Sequence, residues 1–204
     1  MQEVNEGDQV TRRNLLNSEV PGPTWRIATY TNSDSGGAQA CIYRGELLTE
    51  SVSDHRDIFT GAGRFSDRWR FTIDATNGST GFWVYSCHLK ASQGSSNEDL
   101  RESGTQAILN NIATLPSNAN IFWGGDFNFY SNLEPGYDLI ANTVGSNAIV
   151  DPLGNGSWSG SGNAIKHTQS PRSTSSSGGL VGGGMDDRFD FVFSSQSAQE
   201  ANGI

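Results

Sequence analysis

Residues 121–130, IFWGGDFNFY, place an aspartate and an asparagine two positions apart at the end of an apolar stretch. Side chains alternate between the two faces of a strand, so Asp126 and Asn128 would project from the same face, about 6–7 Å apart. Such a pair can present a carboxylate and an amide to one target. The segment is otherwise suited to the interior of a sheet, so we interpret the two polar residues as candidates for chemistry.

Three further stretches carry polar groups beside or at the end of apolar strands. They contribute His88 in VYSCHLKAS, His55 and Asp57 in SDHRDIF, and Asp186, Arg188 and Asp190 in MDDRFDFVF. Each stretch alone is a weak signal, because an aspartate after Gly-Gly commonly serves a turn and a lone histidine commonly serves structure. Four such stretches in one chain favour a site built at the ends of strands.

The elements that would position these residues are strands separated by turn signals. Candidate strands lie at 24–31, 37–45, 68–76, 81–89, 119–127 and 188–195. Residues 68–89 are typical of a hairpin closed by NGSTG. The segment FWVY is apolar on both faces, which predicts a central strand covered on both sides.

Helical signals are fewer. The spacing of apolar residues predicts a helix over 97–115, with Ser96 or Asn97 as its N-cap. A shorter helix is predicted within EPGYDLIAN, and an earlier one from Asp8 to about Leu16. Residues 154–184 are rich in Gly, Ser and Asn, which predicts a long loop region. The mixture of strands and helices favours sheets with helices outside.

The bulk composition limits the function classes. The chain has 204 residues, enough for one domain, and its 25 glycines and 34% hydrophobic content indicate long surface loops. A net charge of -9 disfavours broad, sequence-independent binding of DNA. No apolar stretch is long enough to span a membrane. Cys41 and Cys87 lie in apolar runs, which favours buried free thiols over a disulfide.

Four motifs in chain order carry a resemblance to a known family. MQEVNE, HLKAS, GGDFN and RFDF together resemble the endonuclease/exonuclease/phosphatase superfamily, whose members have the DNase I-like fold. The resemblance implies one α+β domain over residues 1–204. It would be a four-layer α/β sandwich, with two mostly antiparallel sheets face to face and helices outside.

The resemblance also implies a metal and a catalytic centre. Glu3 corresponds to the family's metal-binding glutamate, with Mg²⁺ expected, or Mn²⁺ or Ca²⁺. Asp126 would orient or deprotonate the attacking water, and Asn128 would bind a phosphate oxygen. His88 would contact the scissile phosphate or protonate the leaving oxygen.

Four other residues have supporting roles by the same resemblance. Asp57 is a candidate partner for His88, and Asp190 corresponds to an aspartate that orients a second histidine. Arg188 and His167 are predicted on the substrate side. For His167, in the loop KHTQSPR, a loop-stabilising hydrogen bond is the favoured alternative. Trp158 would either pack its loop against the core or cover the substrate.

Two family segments have no counterpart in this sequence. A first strand ending in asparagine would precede Gln2, and a strand bearing a histidine would follow the final residues. We therefore expect a truncated version of the fold that lacks an N-terminal and a C-terminal strand.

The resulting hypothesis is a divalent-metal-dependent phosphodiesterase or nuclease-like hydrolase that cleaves a P–O bond. Its partner would be a phosphodiester, either a nucleic acid or a small phosphoester, and the chain is expected to be a monomer. The alternative is a catalytically impaired binding domain on the same fold. A Gly/Ser-rich all-β carbohydrate-binding module is disfavoured by the predicted helix at 97–115. The compartment stays open, with a secreted bacterial parent as one interpretation.

Overall fold

The computed structural model describes residues 4–31, 38–169, 174, 184 and 186–200. The helices in chain order are α1 (Glu6–Glu19), α2 (Ser95–Ile112), α3 (Pro135–Ala141) and α4 (Gln196–Glu200). The strands are β1 (Trp25–Ile27), β2 (Ile42–Arg44), β3 (Leu48–Glu50), β4 (Arg56–Gly61), β5 (Arg64–Ile73), β6 (Gly81–His88), β7 (Ile121–Asp126), β8 (Ile149–Val150) and β9 (Asp190–Ser195). Short 3₁₀ helices occur at Val52–Asp54, Asp74–Thr76 and Ser161–Lys166.

Seven strands form one large sheet. The order is β3-β5-β6-β7-β9-β8, and β4 pairs with β5 on the same side as β3. The β6–β7 pair is parallel and the other pairs are antiparallel. The hairpin predicted over 68–89 is present as β5 and β6, and the apolar segment of β6 lies centrally, between β5 and β7. Strands β1 and β2 form a separate antiparallel pair.

One face of the large sheet packs against α2 and α3 through an aromatic core. Trp123, Phe127 and Phe193 have no exposed surface, and their ring centroids lie 5.0–5.9 Å apart. Trp158 is equally buried and stacks edge-on against Phe191 at 5.3 Å. The structure therefore packs the Trp158 loop into the core. Aromatic burial on this scale supplies much of the hydrophobic stabilisation of a sheet.

The opposite face of the large sheet packs against β1 and β2. Trp69 and Phe71 are buried there, and the Trp69 indole donates to the carbonyl oxygen of Thr29 at 2.7 Å. Helix α1 in turn contacts β1, where the Asn17 side chain bonds the backbone of Trp25 in both directions. The order helix, sheet, sheet, helix is the four-layer α+β sandwich that the sequence predicted. Over the described residues, no helix combines the length and apolarity needed to cross a membrane.

Some boundaries differ from the predictions. Helix α2 begins at Ser95 with Gly94 as its N-cap, so the prediction of Ser96 or Asn97 is wrong. Gly94 adopts a φ of +106°, which a glycine reaches without strain, and this lets the helix start earlier. Strands β3, β4 and β8 were not predicted, because they are short or polar and depend on pairing with β5 and β9. Cys41 and Cys87 are free thiols, as predicted.

Candidate active site at the strand ends

Three of the predicted site residues lie in one row across the ends of neighbouring strands. His88 is opposite Asp126 in the parallel β6–β7 pair, and Asp126 is opposite Asp190 in the antiparallel β7–β9 pair. Residues directly opposite each other project from the same face of a sheet. The His88 Nε2 atom is 3.8 Å from the Asp126 Oδ2 atom. We call these three residues the strand-end row.

The glycine pair before Asp126 has two different roles. A methyl group at Gly125 would overlap the backbone carbonyl oxygen of Cys87, so β6 and β7 approach each other too closely for any side chain there. At Gly124 the same methyl group would meet nothing nearer than 3.7 Å. Gly125 is therefore required by strand packing, and it places Asp126 directly beside His88.

The turn after β7 fixes the orientation of the Asp126 carboxylate. Asp126 Oδ1 accepts a hydrogen bond from the backbone N–H of Asn128 at 3.0 Å, which leaves Oδ2 directed toward His88. Asn128 has a left-handed φ of +53°, a conformation that asparagine tolerates better than most residues. Its side-chain amide donates to the carbonyl oxygen of Leu89 at 3.2 Å and ties the turn to the end of β6.

Two further side chains make hydrogen bonds to the backbone of the strand-end row. The Arg64 guanidinium donates to the carbonyl oxygens of His88 and Leu89 at 3.1 and 2.7 Å. The Thr168 hydroxyl accepts from the backbone N–H of Asp190 at 2.9 Å. Desolvation raises the pKa of the Asp190 carboxyl, and the hydrogen bond from Thr168 opposes that rise. Neither of these two contacts was predicted from the sequence, because each joins residues more than twenty positions apart.

Substrate access differs along the row. The Asp126 side chain retains 27% of its surface, whereas that of His88 retains 10%. The carboxylates of Asp126 and Asp190 also supply the oxygen chemistry that Mg²⁺ prefers, so these donors fit the metal that the sequence implied.

The predicted metal ligand Glu3 lies outside the described residues. Its neighbour Val4 is buried and forms an antiparallel bridge with Ala38, with the Val4 N–H donating to the Ala38 carbonyl oxygen at 3.0 Å. The adjoining Gln39 side chain accepts from the Ser86 hydroxyl at 2.9 Å, two positions before His88. The role of Glu3 stays a prediction.

Asp57 is placed beside a different histidine from the one predicted. Its Oδ1 atom lies 3.5 Å from Nε2 of His55, and it accepts a hydrogen bond from the Thr31 hydroxyl at 2.6 Å. In the sheet register Asp57 is opposite Asp67, which is opposite Ser86. β5 therefore lies between Asp57 on β4 and His88 on β6, and the pairing of Asp57 with His88 stays a prediction.

Arg188 is committed to a buried ion pair. Its two terminal nitrogens donate to both oxygens of Asp151 at 2.7 and 3.0 Å, and both side chains are at most 3% exposed. The Tyr137 hydroxyl donates to the same carboxylate at 2.9 Å. A guanidinium held in this way supports the core, so the geometry does not favour the substrate contact predicted for Arg188.

His167 is also held by its surroundings. Its Nε2 atom lies 2.7 Å from the carbonyl oxygen of Trp158, and the residue is 7% exposed. This contact corresponds to the loop-stabilising alternative that the sequence left open. The substrate role of His167 stays a prediction.

Asp67 is the residue of this sheet face that sequence reasoning missed. It is 2% exposed, and its Oδ1 atom lies 3.6 Å from Nε2 of His55. Burial raises the pKa of Asp67 to about 7, with His55 opposing the rise and the neighbouring Asp57 adding to it. In RFSDRWRF, side-chain alternation places Asp67 on the same strand face as Phe65, Trp69 and Phe71, and the arginines on the other face. This pattern could have marked Asp67 as an inward-facing acid.

The chain is similar to known proteins in fold but not in sequence. No family model matches this chain, and no curated protein matches it. By contrast, 68 chains of solved structures share its architecture. An endonuclease/exonuclease/phosphatase from Bacteroides vulgatus superposes with a TM-score of 0.64 at 15% identity, covering 96% of this chain and 72% of that one.

Two other solved structures show the range of proteins with this architecture. A mannosyl-6-phosphatase of Bacteroides thetaiotaomicron has a TM-score of 0.61 at 14% identity, covering 92% of this chain and 68% of that one. D. rerio TDP2, complexed with a single-strand DNA product, has a TM-score of 0.60 at 17% identity, covering 95% and 68%.

The chain has the DNase I-like fold. That likeness rests on the course of the backbone, because the identities are low. His88, Asp126 and Asp190, whose catalytic roles the sequence predicted, lie together in the strand-end row. The roles of these residues are derived below from their own geometry.

Proposed function

We propose that this chain is a divalent-metal-dependent hydrolase that cleaves a P–O bond of a phosphodiester. The observation that carries the proposal is the strand-end row, in which an imidazole and a carboxylate face each other 3.8 Å apart at one edge of the sheet. The fold supports the proposal, since solved structures with it include a phosphatase and a protein complexed with a DNA product.

The strand-end row contains one group that can accept a proton and one that can donate a proton. Asp126 can accept a proton from an attacking water, because its carboxylate is held in one orientation by Asn128 and is partly accessible. His88 can donate a proton to the leaving oxygen from the neighbouring strand. Two such groups held by strand pairing need little reorganisation during the reaction.

Asn128 and Asp190 have supporting roles in this proposal. Asn128 is anchored by its bond to Leu89 and would direct its amide oxygen and remaining N–H toward the phosphate side of the turn. Asp190 lies beside Asp126 and would orient groups on that side of the row. Carboxylates of Glu3, Asp126 and Asp190 would hold the Mg²⁺ ion, which supplies positive charge to offset the charge of the phosphate.

The test is hydrolysis of plasmid DNA and of bis-(p-nitrophenyl) phosphate with Mg²⁺, compared with Asp126→Ala. We expect a loss of about 10²- to 10⁴-fold in rate, because a general base contributes on that scale. Asp99→Asn is the matched control, since it removes an exposed carboxylate on α2, outside the row. Equal activity in wild type and Asp126→Ala would refute the role of Asp126.

The alternative hypothesis makes a different prediction in the same assay. A catalytically impaired binding domain would turn over neither substrate, yet would bind a single-stranded oligonucleotide saturably. p-Nitrophenyl phosphate is a third substrate, and turnover of this monoester alone would redirect the proposal from phosphodiesters to phosphomonoesters.

A further inference from the structure

A second polar cluster lies on the same face of the large sheet, one step along the strands from the strand-end row. It consists of His55, which follows the 3₁₀ helix Val52–Asp54, Asp57 on β4 and Asp67 on β5. The His55 Nε2 atom is 3.5 Å from Asp57 Oδ1 and 3.6 Å from Asp67 Oδ1. One ligand atom from each of the three residues lies within 4.8 Å of the other two.

Two atoms of the cluster point to a missing ligand. Nε2 of His55 and Oδ1 of Asp67 are buried, and apart from the long ion-pair contacts within the cluster neither has a hydrogen-bond partner among the described residues. The side chains of these residues are 9% and 3% exposed. Buried polar groups are nearly always hydrogen-bonded, and leaving one unpaired costs about 1–3 kcal/mol. An imidazole nitrogen and a carboxylate oxygen that face each other in this way leave space for a shared ligand.

Two of the three distances between ligand atoms can be compared with coordination geometries. Bonds of about 2.0–2.1 Å from Zn²⁺ to imidazole and carboxylate place neighbouring ligand atoms about 3.3–3.4 Å apart in a tetrahedron. The same atoms around an octahedral Mg²⁺ would lie about 2.9 Å apart. The observed 3.5 and 3.6 Å are nearer to the tetrahedral value. One imidazole with two carboxylates also suits Zn²⁺ better than Mg²⁺, which prefers oxygen alone.

The surroundings hold the three groups in place. The Thr31 hydroxyl donates to Asp57 at 2.6 Å, an outer contact of the kind that orients metal ligands. The His55 ring packs against Trp69 with centroids 5.9 Å apart, and Asp67 and Asp57 are opposite each other in the β4–β5 register. The cluster is therefore largely preorganised by strand pairing.

We propose that His55, Asp57 and Asp67 bind one Zn²⁺-type cation in a tetrahedral site, one step along the strands from the strand-end row. Three protein ligands leave a fourth position for water. A bound cation would link Asp57, near the start of β4, to Asp67 on β5. It would also give Nε2 of His55 and Oδ1 of Asp67 a ligand contact. The competing occupant is a proton shared by the two carboxylates, which the raised pKa of Asp67 also fits.

The test is titration of EDTA-treated protein with Co²⁺, whose tetrahedral complexes absorb visible light far more strongly than octahedral ones. With excess Mg²⁺ present to occupy the strand-end row, we expect one equivalent of Co²⁺ to bind with a tetrahedral spectrum and to be displaced by Zn²⁺. His55→Gln and Asp67→Asn should each abolish the spectrum. Asp126→Asn, in the strand-end row, and Asp99→Asn, on the surface, should both retain it.

Thermal unfolding distinguishes a lost site from a lost fold. In EDTA, His55→Gln should unfold cooperatively and close to the temperature of the wild type. Asp67→Asn should unfold cooperatively at that temperature or above it, because an amide replaces a buried carboxyl that ionises near pH 7. Zn²⁺ at about a hundredfold excess over its Kd should raise the Tm of the wild type by about 5–10 °C and leave the variants unchanged. The absence of a tetrahedral spectrum in the folded wild type, or a tetrahedral spectrum that survives both substitutions, would overturn the proposal. None of these outcomes depends on hydrolytic activity.

Discussion

Two buried polar groupings in this protein are built in opposite ways. In the first, Arg188, Asp151 and Tyr137 form a closed network in which both carboxylate oxygens receive donors. In the second, His55 and Asp67 form an ion-pair contact of 3.6 Å, which is long for a hydrogen bond. Burial is nearly complete in both, so the difference lies in whether the polar atoms have partners. A satisfied network stabilises the fold, whereas an unsatisfied one has capacity for a ligand.

The largest expected effect is the loss of the closed network. Asp151→Asn would leave the Arg188 guanidinium buried without a charge partner, and breaking a buried pair in this way costs about 3–5 kcal/mol. Urea unfolding in EDTA measures the change in the free energy of unfolding. Asp67→Asn, in the cluster of His55, Asp57 and Asp67, should not lower that free energy near pH 7, because an amide avoids the cost of ionising a buried carboxyl. Equal losses in the two variants would contradict the comparison.

The next effect is smaller and concerns the cluster of His55, Asp57 and Asp67. It is the change in the free energy of unfolding with pH. Burial raises the pKa of Asp67 from 3.8 to about 7, in surroundings that include His55, Asp57 and Tyr30. The folded protein therefore binds a proton that the unfolded chain releases above pH 4. The resulting stability is present at low pH and is lost as the pH rises through 7. In EDTA, the free energy of unfolding should fall by about 1.4 kcal/mol between pH 6 and pH 8 from this group.

Asp67→Asn should flatten that pH profile, because an amide does not titrate in this range. Asp99→Asn is the control and should leave the profile of the wild type in place, since Asp99 is exposed on α2. A wild-type profile that is already flat between pH 6 and pH 8 would mean that Asp67 is ionised throughout.

The smallest expected effect measures how much the Tyr137 hydroxyl contributes to its network with Asp151 and Arg188. Tyr137→Phe removes one donor to Asp151 and leaves the bidentate contact with Arg188 intact. We expect a loss of about 0.5–1.5 kcal/mol in the free energy of unfolding, the usual size for one hydrogen bond. Tyr130→Phe is a matched control and should stay within about 0.5 kcal/mol. A loss as large as that of Asp151→Asn would show that the tyrosine, and not the ion pair, holds the network.

The strand-end row could be predicted from the sequence because its geometry is mostly local. Asp126 and Asn128 follow a strand with period-two alternation, and His88 and Asp190 lie at the ends of equally clear apolar runs. The ends of adjacent strands meet at one edge of a sheet, so these residues were expected to converge. The structure pairs His88 with Asp126 and Asp126 with Asp190.

The partners of Asp57 and Arg188 could not be predicted in the same way. Asp57 lies on a short polar strand whose conformation depends on β5, and β5 separates it from His88. Arg188 meets Asp151 across 37 positions of sequence, in a contact that no local spacing encodes. An alternating pattern shows which residues share a face, but it does not show which strand lies next to which.

The sequence by itself determined the class of fold, the central strands, the free thiols and the strand ends where chemistry is placed. Those features follow from periodicity, turn residues and burial, which act over a few neighbouring positions. Tertiary structure alone decided that Arg188 is part of the core, that His55 and Asp67 face each other, and that Gly125 must lack a side chain. Each of these depends on strand register, because register brings together residues that are distant along the chain.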